Sequence, residues 1–401
     1  MQQTKHYKSS VSARIIKIAT LAVAMGMAMI LIAVATGKGL QKDIKNKIAV
    51  FNGHLVVSPF ENSESQISIL PFLDTPELRS NIESETEVIH IQRVAIKAGL
   101  LKTDSSFEGV IFKGVDANYE WKNLNTFLVE GRFPNLGEKV SNEVVVSKFI
   151  AQRLSLEIGD DVSAYFQNSL DQKLPNIRKF KIVGFFLSGF PDFDQTFVLG
   201  DIKHVQRINK WKENQIGGYE IFLKDLDEVS KVGSTLYKKL PSDLDVIELT
   251  QQYATIFQWI SLFDFNILII ITVMIIVGVI NMSTALLVLI LERSQMIGLL
   301  KTLGARNKLI QNIFLFNGIV IMSRGLLWGN LIGLLFYFGQ HYGKWIRLDP
   351  ETYYVNVAPV SLSILDFLVL NFGILSISSL LLWIPSMIIS RLSPASVLRF
   401  R

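Results

Sequence analysis

Cysteine is absent from the 401 residues. That excludes a disulfide framework, a thiolate metal site and a lipid-bearing N-terminal Cys, so any globular part must be stable through its core alone. Histidine is scarce: His6, His54, His90, His204 and His341 stand apart, without H-E-x-x-H or another paired-ligand spacing, which argues against a metal centre. A P-loop needs G-x-x-x-x-G-K-[ST] to cradle phosphates, and the chain offers only Gly37-Lys38 and Gly343-Lys344, neither with the leading Gly or the trailing hydroxyl. There is no G-x-S-x-G elbow either, so nothing in the chain reads as an enzyme. Acidic residues are thin outside one stretch. Residues 38–264 hold 26 Lys+Arg against 31 Asp+Glu, and the remainder holds 14 against 4. The overall charge of +5 and pI near 9.1 come from that remainder and give no support to nucleic-acid binding.

What is abundant is apolar sequence, with 49% hydrophobic residues and a mean hydropathy of +0.34. Ile18 to Gly37 is an uncharged run of 20, long enough for a bilayer, which needs about 20 residues. It exceeds the ~7–15 residues of a signal-peptide core, although Ala33-Val34-Ala35 has the form of a cleavage site. Further spans are expected at 265–291, 309–343 and 362–389, with Pro385 near the end of the last. Basic residues resist translocation. Lys5, Lys8, Arg14 and Lys17 precede the first span; Arg293, Lys301, Arg306 and Lys308 lie between the second and third; Arg391, Arg399 and Arg401 follow the fourth. The expected layout is a cytoplasmic N-terminus (1–17), a span, an outer domain (38–264), a span, a cytoplasmic loop (292–308), a span, an outer loop (344–361), a span and a cytoplasmic tail (390–401). The fold class is thus an α-helical membrane protein with four transmembrane helices and an α/β extracytoplasmic domain.

Within that domain, Ile48 to Ser58 has the β-branched and aromatic texture of a strand ending at Pro59. Asp74-Thr75-Pro76-Glu77 is a helix start. Strands are expected at 88–97, 107–115, 144–146, 162–166, 180–187, 219–223 and 245–249, and helices at 147–154, 200–209 and 227–239. Residues 251–264, with Phe257, Trp259 and Phe263, have the aromatic character of an interfacial lead into the second span.

The loop Glu292-Arg293-Ser294-Gln295-Met296-Ile297-Gly298-Leu299-Leu300-Lys301-Thr302-Leu303-Gly304-Ala305 is the most informative stretch. As a helix it carries Met296, Leu299, Leu300 and Leu303 on one face and Ser294, Gly298, Lys301 and Ala305 on another, with Gly304 as a C-cap. Such a helix is expected to lie on the membrane surface with its polar face toward a cytoplasmic partner. On physical grounds alone, a plain connecting loop stays open. Arg324 places a charge inside the third span, where it is costly. A turn at Ser323-Arg324-Gly325 would put the basic tail outside, so one long helix with Arg324 facing the bundle is expected. Gly325, Gly329 and Gly333 recur every four residues and permit close helix approach.

The loop resembles the E-R-x-x-x-I-G-x-L-K-x-L-G-A signature of the MacB-like or FtsX-like ABC transporter permeases. Leu392-Ser393-Pro394-Ala395-Ser396-Val397-Leu398-Arg399 is similar to the family's terminal R-L-x-P-x-x-x-L-R. Lys38-Gly39-Leu40-Gln41, Lys47, Phe51-Asn52-Gly53-His54 and the loop from Leu348 to Val355 resemble the LolC/LolE lipoprotein-releasing branch. Met296 and Arg324 depart from the pattern, which has an acid and a small residue there.

The resemblance implies a MacB-like periplasmic domain, an FtsX-like permease domain over 265–401 and an inner-membrane location. It makes Glu292, Arg293, Ile297, Gly298, Lys301, Thr302, Gly304 and Ala305 an ATPase-coupling helix and makes Pro175 a contact for a periplasmic carrier. The implied partners are a LolD-like ABC ATPase, a second permease copy or paralogue, lipoprotein cargo and a LolA-like carrier. No cofactor is expected on this chain, because ATP and Mg belong to the partner ATPase. A MacB-type efflux permease and an FtsX-like regulator of cell-wall hydrolases are the alternative functions.

Overall fold

The computed structural model describes residues 11–63, 67–167, 174–349, 353, 355 and 357–387. In chain order the elements are helix α1 (Val11–Asn52), strand β1 (Leu55–Pro59), α2 (Phe60–Ser63), β2 (Phe72–Leu73), α3 (Pro76–Glu83), β3 (Val88–Lys102), β4 (Phe107–Val115), β5 (Leu128–Gly131), β6 (Glu143–Ser147) and α4 (Lys148–Leu154). There follow β7 (Asp161–Phe166), β8 (Asn176–Phe186), α5 (Pro191–Asp194), β9 (Phe197–Asp201), α6 (Ile202–Asn209), β10 (Gln215–Ile216), β11 (Gly218–Leu223), α7 (Val229–Lys239), β12 (Leu244–Glu248) and α8 (Leu249–Gln252). Four further helices complete the order: α9 (Ala254–Glu292), α10 (Ser294–Thr302), α11 (Asn307–Gly343) and α12 (Ile364–Ser386). The chain divides into two compact units, one of residues 43–258 and 349–356, the other of the remaining segments.

In the first unit ten strands form one sheet in the order β12-β1-β11-β3-β4-β9-β6-β8-β5, with β7 closing between β3 and β8. The β4–β9 and β6–β8 pairs are parallel and the other ladders antiparallel. Helices pack their apolar stripes on this sheet: Ile150 and Leu154 of α4, Val205 and Ile208 of α6, and Val232 and Leu236 of α7 are all buried. Local chemistry agrees with the element ends. Thr75 accepts from the Leu78 amide (3.3 Å) ahead of Pro76, a Ser/Thr cap followed by Pro in the first turn.

Two expectations within this unit need correction. Ile48 to Asn52 is helical, because Ile44, Ile48 and Phe51 recur at helical spacing and are all buried, so the strand begins only at Leu55. Phe197–Asp201 is a strand, β9, and only Ile202 onward belongs to the expected helix, capped by Asp201 accepting from the Lys203 amide.

His54, at the start of that unit's sheet, accepts a hydrogen bond from the Leu223 amide at Nδ1 (2.8 Å) and packs edge-on to Phe222. Burial holds its imidazole neutral and pushes its pKa down to about 4, against a smaller opposing pull from Asp225. A depressed pKa means that the unfolded chain binds the proton first, so stability is complete above the ordinary histidine value near 6.5 and falls as pH drops through the window to about 4. The melting temperature of the full chain in detergent should therefore decline across that window, and His54→Gln should flatten the decline; an unchanged slope in the variant would refute the assignment.

The second unit contains four helices long and apolar enough to cross a membrane. Val23, Met27 and Ile30 of α1, Met282 of α9, Met322 and Leu326 of α11, and Leu382 of α12 form its buried core. Lys38 Nζ meets Asp366 Oδ1 at 2.5 Å, and Gln41 donates to Asp264 Oδ1 at 3.0 Å, which marks one polar end of the bundle. Asn330 donates to Asn371 across α11 and α12 (2.6 Å), a polar link inside the spans. Two helices outrun their expected spans: α1 continues from Ile18 past Gly37 to Asn52, and α9 begins at Ala254.

Candidate functional site

The loop between the second and third long helices is a second short helix held by its own core. At Arg293 the chain leaves α9 with φ −100° and ψ 13°, yet the Ile297 amide still donates to the Arg293 carbonyl (3.0 Å), so α10 follows α9 after one bend. Gly304 ends it with φ 89°, a left-handed conformation that favours glycine, while the Ala305 amide donates back to the Leu300 carbonyl (2.9 Å). Ile297 is fully buried with Leu286 and Ile290 of α9 and with Ile310 and Phe314 of α11, and Leu300 and Ala305 pack on the edge of that cluster. The loop is thus a fixed bracket.

One placement departs from expectation: Gly298, expected on the open polar face, is buried. Ile297 and Gly298 are buried and Lys301 is half-buried, whereas Met296, Leu299 and Leu303 are 43%, 57% and 76% exposed. Gly298 therefore does not lie on an open face. The physical reason is Ile297, which reaches the groove between α9 and α11 and turns its own side inward. Glu292, Arg293, Thr302 and Gly304 stand exposed beside the three apolar side chains.

From Asp264, at the polar end of the bundle, to Glu292 the helix runs about 42 Å at 1.5 Å per residue. Hydrocarbon accounts for about 30 Å of that. The uncharged run of α9 continues to Leu291, so the α10 bracket follows it directly.

In α11, Gly325, Gly329 and Gly333 face α1. A Cβ at Gly325 would fall 2.7 Å from Val23 Cβ, one at Gly329 2.6 Å from the Ala24 carbonyl oxygen and from Met27 Cβ, and one at Gly333 2.7 Å from Leu31 Cδ1. α11 is one continuous helix through Ser323-Arg324-Gly325, but Arg324 points away from the bundle, on the exposed stripe with Phe316, Leu327 and Trp328. The expectation that it faces inward is corrected: Gly325 takes the inward position, and Arg324 beside it must point out. Its level explains the tolerance, because Gly325 contacts Thr20 and Val23 of α1, about one turn from Lys17 and the end of the apolar run. A long side chain there can extend to the headgroup zone.

Pro175 is exposed immediately before β8, and residues 168–173 of the same loop lie outside the described residues. So do residues 388–401, which carry the terminal motif, and much of 350–356. Among the described residues, no group of three or more His, Asp and Glu is placed to hold a metal ion. Lys113 and Glu220, buried against each other at 2.5 Å in the first unit, were not singled out from the sequence. Charges in strands with a mostly alternating pattern read as solvated.

Four long apolar helices, a mixed α/β unit encoded between the first two and a rigid bracket between the second and third define a polytopic membrane protein whose soluble part is an inserted domain. The MacB-like periplasmic core domain model matches residues 18–236, more than half of the chain, and the FtsX-like permease C-terminal model matches residues 268–394. The chain belongs to the MacB-like, FtsX-like permease family. Similar proteins include the lipoprotein-releasing system transmembrane protein LolC of Xylella fastidiosa, 21% identical over 95% of this chain and 92% of that one. The lipoprotein-releasing system transmembrane protein LolE of Haemophilus influenzae is 22% identical over 98% of this chain and 95% of its own. Among solved structures, the periplasmic region of MacB from Actinobacillus actinomycetemcomitans aligns with 50% of this chain and 91% of its own, at 14% identity and a TM-score of 0.34.

Proposed function

We propose that this chain is the permease subunit of an ABC-type complex that releases lipoproteins from the inner membrane to a periplasmic carrier. The observation that carries the reading is the α10 bracket: an exposed apolar face fixed on its own small core fits a protein partner. Similarity to LolC and LolE over nearly the full length of each supports lipoprotein release in particular. On this reading α10 docks into a separate ATPase that binds ATP and Mg, and the 43–258 unit is periplasmic. Two such permeases, alike or paralogous, flank the acylated cargo, whose chains need a continuous apolar path because each exposed CH₂ forfeits about 0.8 kcal/mol.

The orientation is tested by cysteine labelling, which is clean in a chain without native cysteine. In intact spheroplasts a membrane-impermeant maleimide should label a Cys at 104, on the exposed β3–β4 turn, and leave a Cys at 294 unlabelled until the cells are opened. Labelling at 294 in intact cells would overturn the topology. The function is tested by depletion: acylated proteins should accumulate in the inner membrane, and the solubilised complex should contain a stand-alone ATPase. Co-purification of an outer-membrane duct or a cell-wall hydrolase, with normal lipoprotein sorting, would replace this reading with efflux or with hydrolase regulation.

A further inference from the structure

The segment Phe51-Asn52-Gly53-His54 joins the end of α1 to the first strand of the sheet, and Phe51, Gly53 and His54 are each tied down differently. The Phe51 carbonyl, one of the last-turn acceptors that a helix leaves without an internal donor, accepts a hydrogen bond from Lys113 Nζ. A cation at the negative end of a helix is favourably placed. The Phe51 ring stacks on Phe193 (4.9 Å, 17°) and tilts against Phe127 and Phe186. Gly53 has φ 73°, and a Cβ there would lie 3.1 Å from Glu220 Cβ and from the Ile221 backbone, so the chain crosses β11 at a separation only glycine allows. His54 donates its amide to the Ile221 carbonyl (2.8 Å), and its own carbonyl accepts from Leu249 (3.1 Å).

Lys113 and Glu220 complete the joint from beneath. They stand on β4 and β11, on either side of β3, with side chains 1% and 2% exposed. Gln92 of β3 donates to the second Glu220 oxygen (2.8 Å), and the Lys113 ammonium lies 5.9 Å from the Tyr119 ring centroid. Burial works against the charged form of Lys113, and Glu220 opposes that effect. A buried pair of this kind is weak evidence for stability, since apolar residues of similar volume often serve as well. Its geometry specifies something else: three neighbouring strands and one helix end share a single polar node. Tyr253, directly before α9, packs edge-on to Phe193 (5.9 Å), so the start of α9 reaches the same aromatic cluster.

We propose that the Lys113–Glu220 node is a mechanical lock that makes the last turns of α1 and the β11–β3–β4 strands one rigid body, through which motion of the helix enters the domain. Lys113 and Glu220 are positioning residues in this scheme. The second half rests on the transporter reading, whereas the first half stands on the geometry of the 43–258 unit alone.

The test uses the full chain with its native partners in nanodiscs and nitroxide labels on cysteines at 46 and 104, both exposed, so that one reports α1 and the other the far end of β3. The distance distribution should be narrow in the parent and broad in Lys113→Met/Glu220→Met, and it should stay narrow in Lys113→Gln/Glu220→Gln, which keeps hydrogen-bonding groups at both positions. Cargo release by the Met pair should fall about tenfold, within the usual range of lost coupling, while ATP hydrolysis continues. A distribution as narrow in the Met pair as in the parent overturns the lock, whatever the cargo proves to be. Broadening with undiminished release overturns its role in transmission. Failure of the unaltered complex to release lipoproteins refutes the transporter reading instead and leaves the distances to decide the lock. Hydrogen exchange on the unaltered chain needs no variant to fold: the amides of 53–54 should exchange with those of 220–223 as one block, and much faster exchange at 53–54 would also overturn the lock.

Discussion

Leu299→Asp should strip the ATPase from a permease that is otherwise intact. Leu299 is 57% exposed on the outer face of α10, flanked by Met296 and Leu303, and makes no part of the buried core that holds the bracket. Burying one such side chain in a partner is worth about 1.5–3 kcal/mol, and a carboxylate in the same groove adds a desolvation penalty. The affinity loss should thus reach about a hundredfold or more, since each 1.4 kcal/mol is tenfold. Leu303→Asp should act alike. Gly298→Trp makes the informative contrast, because Gly298 is buried and a Trp there has to displace its neighbours. The expected signature is proteolysis at 293–306 and a fall in protein level, whereas Leu299→Asp leaves the level normal. Retention of the ATPase by the Leu299→Asp chain in a pull-down would remove the docking assignment.

Gly329→Leu should cost the bundle about 3 kcal/mol or more, the upper end of overpacking penalties. The added Cβ alone would sit 2.6 Å from the Ala24 carbonyl oxygen, and backbone of a packed helix cannot turn aside as a side chain can. α1 and α11 must separate, and with them the contacts of Val23, Met27 and Leu326 loosen. Two glycines of the same unit provide the controls. Gly278 has open space around its Cβ position, and Gly318 meets only Leu286 and Leu382 methyl groups at 3.5 Å, so Ala at either should leave the melting temperature of the detergent-solubilised chain nearly unchanged. Equal destabilisation at 278 and 329 would mean that the close α1–α11 approach is not responsible, since both substitutions raise helix propensity.

The sequence made the four apolar helices legible because their long apolar runs are uncharged in 18–37 and 265–291 and broken only by Arg324 and Asp366 in the other two. Their ends were not legible. Ile48 and Val50 look β-branched and strand-like, and only the spacing of Ile44, Ile48 and Phe51 betrays the helix that continues to Asn52. For α10 the helix and its Gly304 terminus were readable from periodicity, but which face turns inward was not, because that depends on the groove between α9 and α11. Arg324 failed for a related reason: adjacent inward glycine decides its direction, and a single helix pattern does not say where the neighbour lies. The Lys113–Glu220 contact joins positions more than a hundred residues apart and has no local trace.

The continuity of α1 carries one more consequence. Its 42 residues contain no proline and no break, so at 1.5 Å per residue it is a rod of about 63 Å. Along it each residue advances the side-chain direction by about 100°. One residue added midway would swing the far end a quarter-turn or more out of phase, while seven would bring it back to within about 20°. Register along this helix is therefore under a constraint that no single side chain expresses.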